Sequence, residues 1–513
     1  MKEEQSTSTN SEIALDEITT EQDSVHVWRQ RLRKMVWPLH AAFPNTVPSP
    51  YGDETDYFLE LDKEENAKSQ IEDGVSLRLA CIMVTELFGP NEIDSLYESL
   101  ERIGWDQDGM FARSDSNVEW LKAQRLYGAF GYLPLGRIIR ASEAKSYHFV
   151  RYTADFPREF SSLLVNISQL TPSTTCLSVG FVLADNVANE YASAINAPAR
   201  TVRVPKRRFK SYSIKGAEHV KRERVRNIRR KYLKLGVGWV SKNFPGYFSA
   251  SGQQGKFPTA EFLSLDGFTA FERDAERKRN WLHWSRFLNI EDDLGSWVCT
   301  SVPSLRFSFE HGYRDDLPNH MTIALRWDDL SESEKDLFQD DSLFIRTFFA
   351  REKLGGIIAR FALASYLREL LRYLKETQQS LSFRSKPHRS TSQIDRISAF
   401  FSQSIGVPMV AREVLALSQN DASFQWNATG FTRKTSVGKE IADIKDGLKS
   451  LLAQLSKRLL EEDRDTRELL NQLSSAIGTR ESVLAQGRME FIARVALAVA
   501  VASLIAAAVT IFK

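Results

Sequence analysis

Lysine and arginine side chains are concentrated in one stretch of this chain, and they give its strongest signal for chemistry. Between residues 200 and 234 there are 15 Lys or Arg and 2 Glu, a net charge of +13 in a chain of 513 residues whose total is +2. The remainder of the chain therefore sums to −11. A block of like charge on this scale predicts a surface that binds anions, either the headgroups of anionic lipids or the phosphates of a nucleic acid.

The second half of this block predicts a basic amphipathic helix, because apolar residues recur among the cations at helical spacing. These apolar positions are Val220, Val225, Ile228, Tyr232 and Leu235. The side chains predicted to bind the anion are Lys206, Arg207, Arg208, Lys221, Arg222, Arg226, Arg229, Arg230 and Lys231. A helix whose cations face only solvent, balanced by the acidic remainder, is the alternative that the same pattern allows.

A group of imidazoles and carboxylates surrounds the turn RDDLPN and could in principle hold a divalent ion. Its members are His311, Asp315, Asp316 and His320. Turns also collect such residues because they are well solvated there, and no fixed spacing such as HExxH orders these four. We therefore predict no metal site and no cofactor, with these four side chains as the weak candidates.

Motifs that would indicate an enzyme are incomplete in this sequence. The stretch GFTRKTSVGKE has the Gly-Lys pair of a phosphate loop, but Arg433 occupies the place of its first glycine and Glu440 replaces the Ser or Thr. The stretch LGVGWV lacks the third glycine of a dinucleotide fingerprint, and GxSxG does not occur. The sequence favours a protein without catalytic activity and leaves the reaction, if there is one, open.

The stretch RVALAVAVASLIAAAVTIFK, residues 494–513, predicts a membrane span. Val495 to Phe512 is an 18-residue run without charge, and Ser503 and Thr510 are its only polar members. At about 1.5 Å per residue the run reaches roughly 27 Å, close to the thickness of a bilayer core. Every face is apolar, whereas a buried helix of a soluble fold usually keeps a polar stripe. The residues expected to contact lipid include Val495, Leu497, Ala498, Ala502, Leu504, Ile505, Ala506, Val509 and Phe512.

The charges that flank the span predict its orientation. Arg480, Arg488 and Arg494 precede it and only Lys513 follows, so the positive-inside rule leaves the bulk of the chain in the cytoplasm. The N-terminal stretch has no basic and apolar pattern of a signal peptide, and three widely spaced cysteines are typical of a reducing compartment. We expect a single-pass protein with a C-terminal anchor, most simply in a bacterial inner membrane.

Residues 437–490 predict a helical stalk that leads into the span. Ile441, Ile444, Leu448, Leu451 and Leu455 follow gaps of three and four residues, as in a coiled-coil seam. The register breaks at Arg458 and resumes at Leu469, Leu473, Ile477 and Leu484. An oligomerising stalk and an amphipathic helix that folds back on its own domain both account for this pattern. Small residues at Ala498, Ala502 and Ala506 add weight to a homo-oligomer.

The rest of the chain must build the body that carries these features. Alternating apolar residues in SSLLVNISQL and CLSVGFVLAD predict strands, and SLRFSFEHGY with HMTIALRWDD predicts a hairpin. The expected fold class is an α+β or α/β cytoplasmic body with a long C-terminal helical or coiled-coil stalk and one C-terminal transmembrane helix. The predicted regions are a disordered acidic tail (1–24), a mainly helical region (25–146), a mixed α/β body (147–330), a helical region with a polar linker at 379–393 (331–418), the stalk (437–490) and the anchor (494–513).

Together these features predict a tail-anchored membrane protein whose cytoplasmic body binds or senses a partner at the membrane face and self-associates through stalk and span. Two other functions fit the same features. One is a membrane-acting effector, for example of a bacterial defence system, triggered through the body. The other is an enzyme held at the membrane that acts on nucleic acid or lipid. The expected partners are the lipid bilayer, an anionic lipid or nucleic acid, and a second copy of the chain.

Overall fold

The fold is that of a computed structural model. The model describes residues 35–36, 39, 52–106, 116–128, 131–143, 151–205, 212–250, 256–271, 284–290, 295–309, 318–332, 335, 341–382, 390–420, 430–434 and 441–511. The predicted acidic tail at 1–24 and the predicted anion-binding cations Lys206, Arg207 and Arg208 lie outside these residues.

Thirteen strands occur within the described residues. They are β1 (Ser76–Phe88), β2 (Gly131–Ile139), β3 (Tyr152–Thr153), β4 (Phe160–Thr171), β5 (Thr174–Leu183), β6 (Val202–Pro205), β7 (Tyr212–Lys215), β8 (Thr259–Asp266), β9 (Ser296–Cys299), β10 (Leu305–Phe309), β11 (His320–Arg326), β12 (Phe431–Lys434) and β13 (Ile441–Asp443).

The same residues form eleven α-helices. They are α1 (Gly52–Lys68), α2 (Ile93–Ile103), α3 (Asn117–Tyr127), α4 (Asp185–Ala188), α5 (Glu190–Asn196), α6 (Ala217–Asn243), α7 (Tyr247–Ala250), α8 (Leu343–Ser382), α9 (Ser390–Gln403), α10 (Val407–Gln419) and α11 (Ile444–Ile511).

One mixed sheet of eleven strands organises the body, in the order β13-β12-β9-β10-β11-β8-β1-β5-β4-β2-β3. Most neighbours are antiparallel, whereas β11 with β8 and β2 with β3 are parallel. The predicted hairpin is confirmed, since Leu305 of β10 pairs with Leu325 of β11 in antiparallel register. Strands β6 and β7 form a separate two-stranded ribbon. The structure is therefore a mixed α+β fold that continues into a long C-terminal helix.

Helices α6 and α8 cover opposite faces of this sheet. On β8, Glu261 bonds to α6 and Ser264 bonds to Arg346 of α8. Side chains three positions apart on a regular strand point to opposite faces, so the two helices must lie on different sides. The central strands are consequently buried on both faces, and the main core of the body surrounds them.

The prediction of a mainly helical region at 25–146 is wrong for two of its segments. The stretch LRLACIMVTELF, expected to be helical, lies in β1 at the centre of the sheet, and β2 is a second strand in the same region. A strand covered on both faces has no polar alternation, so a continuous apolar run can indicate either structure. Pairing with β8 and β5 decides between them, because both neighbours hydrogen-bond along β1.

The boundaries predicted downstream also change. The polar linker at 379–393 is helical at both ends, since α8 ends at Ser382 and α9 begins at Ser390; residues 383–389 are not among the described residues. The predicted stalk contains a strand at its start, because Ile441 belongs to β13. Strands β12 and β13 extend the sheet well beyond residue 330, the boundary expected for the mixed body.

Candidate membrane anchor and basic helix

Helix α11 has two halves with different surroundings. From Ile444 to about Leu470 it packs against α8 and α10, and its innermost side chains are Leu448, Leu452, Leu459 and Leu470. Leu473 and Ile477 are still in partial contact with the core, and every residue described from 478 to 507 is exposed. The first half of the predicted stalk is therefore a helix that folds back on its own body, which is one of the two interpretations that the sequence allows.

Polar contacts secure the packed half of α11. Thr466 accepts a hydrogen bond from Gln378 Nε2 of α8 at 2.8 Å. The Arg467 guanidinium donates to the backbone oxygen of Ser404 at 2.9 Å and pairs with Asp463 at 2.8 Å. Asp463 and Thr466 lie on the same face as Leu459 and Leu470. The buried face of α11 is therefore continuous from Leu459 to Leu470, although the apolar pattern of the sequence breaks there. Asp463 and Thr466, each with a hydrogen-bonding partner, occupy positions on this face that leucines hold elsewhere.

The second half of α11 ends in one helical segment that is long and apolar enough to cross a membrane; within the described part of the chain no other helix meets that description. None of its described residues from Val495 to Ala507 is buried. The Ser503 hydroxyl donates to the Val499 carbonyl at 2.9 Å, so this polar group has its hydrogen bond inside the helix. Val509 lies in α11, and Phe512 is outside the described residues. The exposure of the segment differs from that of a buried core helix.

The predicted basic amphipathic helix is confirmed as a helix, since α6 covers Ala217–Asn243. Two of its predicted anion-binding cations nevertheless face the interior. Lys221 is fully buried and donates to Ser69 Oγ at 2.8 Å, and burial lowers its pKa to about 8. Arg229 is also buried and pairs with Glu261. We correct the prediction for these two residues, because groups enclosed in the body cannot contact a lipid surface or a nucleic acid.

Arg229 and Glu261 form a buried ion pair between α6 and β8. The guanidinium contacts the carboxylate through two bonds, Nη2 to Oε1 at 2.6 Å and Nε to Oε2 at 3.0 Å. The Tyr191 hydroxyl donates to the same carboxylate at 2.7 Å. Burial acts to raise the pKa of Glu261, but the adjacent Arg229 guanidinium and the His320 imidazole together outweigh burial and hold that pKa at about 2. The arrangement is a satisfied structural pair, which joins helix and sheet.

The outward side of α6 keeps the remaining cations. Arg222 pairs with Glu218 at 2.9 Å, and Lys231 contacts Glu190 at 3.0 Å. Arg226 is half-buried, and Arg230 and Lys234 are exposed. Part of the predicted basic surface is therefore neutralised locally, and the segment around 230–234 is its most accessible part.

The weak metal candidates are not brought together in the described part of the chain. His320 is buried on β11, where its Nδ1 lies 2.8 Å from Thr259 Oγ1. Its Nε2 lies 4.0 Å from Glu261 Oε1, too long for a hydrogen bond. His311, Asp315 and Asp316 are not among the described residues, and the described ones hold no cluster of three or more His, Cys, Asp or Glu able to bind an ion.

Buried ionisable groups on the central strands, and on α8 where it packs against them, were missed by the sequence reasoning. Glu86 of β1 accepts hydrogen bonds from the backbone N–H groups of Leu87, Phe248 and Ser249 and from the Ser249 hydroxyl. Burial raises its pKa to about 7 against these bonds. On the opposite face, buried Arg351 donates to Asn166 at 2.5 Å. A single charge inside an apolar run, as in IMVTELF and TAEFLSL, is the signal that indicates such groups.

Comparisons with models of protein families, with curated proteins and with solved structures found no match to this chain. The fold itself places an exposed apolar segment at the C-terminal end of α11 and a partly neutralised basic side on α6.

Proposed function

We propose that this chain is a single-pass membrane protein, anchored by residues 495–511, whose body binds or senses a partner on the cytoplasmic side. One observation carries the proposal: the apolar residues of α11 from Val495 to Ala507 are exposed on every face of the helix. Apolar surface is stabilised by about 25 cal/mol per Å² when it leaves water. A bilayer core supplies that environment for a segment of this length.

The side of the membrane follows from charge and from the cysteines. Arg488 and Arg494 lie on the body side of the span, which supports a cytoplasmic body by the positive-inside rule. Cys81, Cys176 and Cys299 are buried free thiols, which is typical of a reducing compartment. A bacterial inner membrane is the simplest setting for such a protein.

The anchor is tested by charge placement along α11. Leu504→Arg puts a cation near the middle of the span, at a cost of about 3 kcal/mol on the insertion scale. The span gains only about 4 kcal/mol from its apolar residues on the same scale, so we expect the variant to lose most of its membrane association. Ser482→Arg is the matched control, since it adds the same charge to an exposed position of α11 outside the span. The measurement is the fraction of full-length chain that sediments with membranes and is released by detergent.

The proposal fails if the unaltered chain stays in the supernatant without detergent. It also fails if Leu504→Arg and Ser482→Arg sediment with membranes equally well. A folded body in both variants, checked by limited proteolysis, separates loss of insertion from loss of structure.

The outward side of α6 is the part of the body that we propose binds an anionic partner. Arg230 and Lys234 are exposed there, one turn apart, and Arg226 lies one turn earlier. The stretch of α11 between Ile477 and Val495 is about 27 Å long, and the attraction between charges is screened within about 8 Å at physiological salt. If α11 stands upright on the bilayer, this length of helix holds the body above the headgroups, which favours a soluble anion such as a nucleic acid over the lipid headgroups around the span.

Charge reversal distinguishes the two anions. We expect the double variant Arg230→Glu with Lys234→Glu to lose salt-dependent binding to single- or double-stranded nucleic acid. Lys457→Glu with Arg458→Glu is the matched control, because both of these side chains are exposed on the packed half of α11. Binding of the detergent-solubilised chain to anionic vesicles, lost in the α6 variant alone, would instead identify lipid as the partner. Unchanged binding to both ligands would remove α6 from the proposal. An enzyme that acts on nucleic acid or lipid would use the same side of α6, so this experiment is also its first test.

A membrane-acting effector is the second candidate function, and the continuity of α11 favours it. The same helix lies in the packed groove of the body and in the span, without interruption between Ile444 and Ile511. A partner that shifts the packed half would therefore move the span. Dye leakage from cells that overproduce the chain, abolished by Leu504→Arg and kept by Ser482→Arg, is the result expected of an effector.

A further inference from the structure

Arg351 of α8 is a buried cation that has no anion beside it. Only 6% of the residue is exposed. Its Nη2 donates to Asn166 Oδ1 at 2.5 Å and to the Tyr132 hydroxyl at 3.3 Å, whereas Nε and Nη1 have no hydrogen-bond partner among the described residues. No ion pair within the described part of the chain includes Arg351, although Arg229, also buried, pairs with Glu261. A guanidinium stays protonated in proteins and is unfavourable to bury alone, so Arg351 lacks a counter-charge.

A row of polar side chains lies on the sheet face that α8 covers. Thr85 of β1 is paired with Ser178 of β5, and Ser178 is paired with Asn166 of β4. Residues paired across antiparallel strands point to the same face, so the contact between Asn166 and Arg351 places all three side chains under α8. The sheet beneath Arg351 therefore offers two hydroxyl groups and an amide.

An opening reaches this row. Ser178 is the only residue of β5 that is not buried, although β5 lies inside the sheet between β1 and β4. Gly355 lies one turn after Arg351 on α8, and a methyl group there would meet no described atom within 4 Å. Side chains four residues apart on a helix share a face and lean towards its N-terminus, so the space at Gly355 adjoins Arg351. A crevice between α8 and the sheet accounts for both observations.

The crevice holds the groups that bind an oxyanion. Arg351 supplies the positive charge and unused N–H donors, and Thr85 and Ser178 supply hydroxyl donors. Guanidinium groups match the geometry of phosphate and carboxylate groups. We propose that the crevice binds the phosphate or carboxylate group of a small soluble ligand. This site is separate from the outward side of α6, because α6 and α8 cover opposite faces of the sheet.

Thermal unfolding of the detergent-solubilised full chain tests the site independently of the membrane anchor. Sodium phosphate and sodium acetate are titrated in turn, with sodium chloride used to keep the ionic strength constant. A ligand that binds only the folded state raises the melting temperature. We expect a saturable rise of about 2 °C at an anion concentration about ten times its Kd. The anion that gives the larger rise, phosphate or acetate, identifies the ligand group.

Three variants locate the binding. Arg351→Met removes the charge without breaking an ion pair of the described residues, so its melting temperature in chloride should stay within about 2 °C of the original while anion binding weakens at least about tenfold. Gly355→Leu fills the space and replaces a glycine within a helix, so it should melt higher in chloride and lose the anion response. Lys353→Met removes an exposed cation of the same helix and is the matched control, with the response of the original chain expected.

The Gly355→Leu result separates a binding role from a structural one, because binding is lost while the fold becomes more stable. No rise above that in chloride for either anion would overturn the proposal, and enclosed water would then satisfy the free N–H groups of Arg351. An equal rise in Arg351→Met and in the original chain would overturn it too, because the anion would bind elsewhere. Arg230→Glu with Lys234→Glu should keep the full rise, and loss of the rise in that variant alone would assign the anion to α6 instead.

Discussion

Helices α6 and α11 are each divided between the interior and the surface, but in different directions. α6 is divided around its circumference: Lys221 and Arg229 face the body while Arg230 and Lys234 face outward from the same helix. α11 is divided along its axis, with its first half packed and residues 478–507 exposed on all sides.

This difference separates two roles for a long helix. A helix divided around its circumference stays within the body, so its inward charges become structural and only its outward charges can meet a partner. A helix divided along its axis carries one end away from the body, and that end requires an environment of its own. The sequence predicts a functional role for both helices. Which of their residues are accessible depends on whether a helix is divided around its circumference or along its axis.

Removal of the inward-facing charge of α6 should produce the largest change in the free energy of unfolding. Arg229→Met removes one member of a buried pair and leaves the Glu261 carboxylate without its cation, which costs about 3–5 kcal/mol. Arg230→Met, the adjacent outward residue, should change the free energy of unfolding by no more than about 0.5 kcal/mol. Denaturant unfolding of the detergent-solubilised chain measures both. Similar losses for the two variants would mean that α6 is not divided by face.

Substitutions in the two halves of α11 should differ by nearly as much in their effect on the stability of the body. Leu459→Ala opens a cavity in the packed half, at a cost of about 2–5 kcal/mol, because Leu459 is fully buried. Leu484→Ala in the exposed half should leave the unfolding of the body within about 0.5 kcal/mol of the original. Protease protection of the body reports the difference. A large loss of body stability for Leu484→Ala would contradict the division along the axis.

Acid should weaken the buried ion pair between Arg229 of α6 and Glu261 within a defined range of pH. The pKa of Glu261 in the folded chain is about 2, below its ordinary value of 4.5, so the pair stabilises the fold above pH 4.5. This contribution, on the order of 3 kcal/mol, is lost progressively as pH falls from about 4.5 towards 2. Unfolding measured across this range should show a smaller acid-dependent loss in Arg229→Met. An exposed carboxylate variant, Glu101→Gln, should keep the original dependence.

Substitution of two glycines of α6 should give the smallest changes in stability. A methyl group at Gly236 would lie 3.1 Å from Val84 and 3.2 Å from Phe181, so Gly236→Ala should be neutral or destabilising by about 1 kcal/mol. A methyl group at Gly238 meets no described atom within 4 Å, so Gly238→Ala should stabilise the helix by up to about 1 kcal/mol. The melting temperature of Gly238→Ala should therefore lie above that of the original chain, and that of Gly236→Ala should not. Equal shifts would show that α6 does not approach the sheet closely on one face.

Several features could be predicted from local pattern alone. Strands β4, β5, β10 and β11 follow from alternating apolar residues and turn chemistry, and each lies in the sheet as expected. The helical character of α6 follows from its 3.6-residue spacing. The apolar character of Val495 to Phe512 is a property of composition, so the sequence by itself determines that this segment can span a membrane.

Other features were decided only by tertiary structure, because they depend on residues distant in the chain. β1 is a strand because β8 and β5 pair with it and helices cover both of its faces. Arg229 faces inward because Glu261, 32 residues later, offers a buried carboxylate that compensates its charge. The first half of α11 is packed because α8 and α10 form its groove. Local periodicity records which side chains are apolar, but only the assembled fold determines which surface covers them.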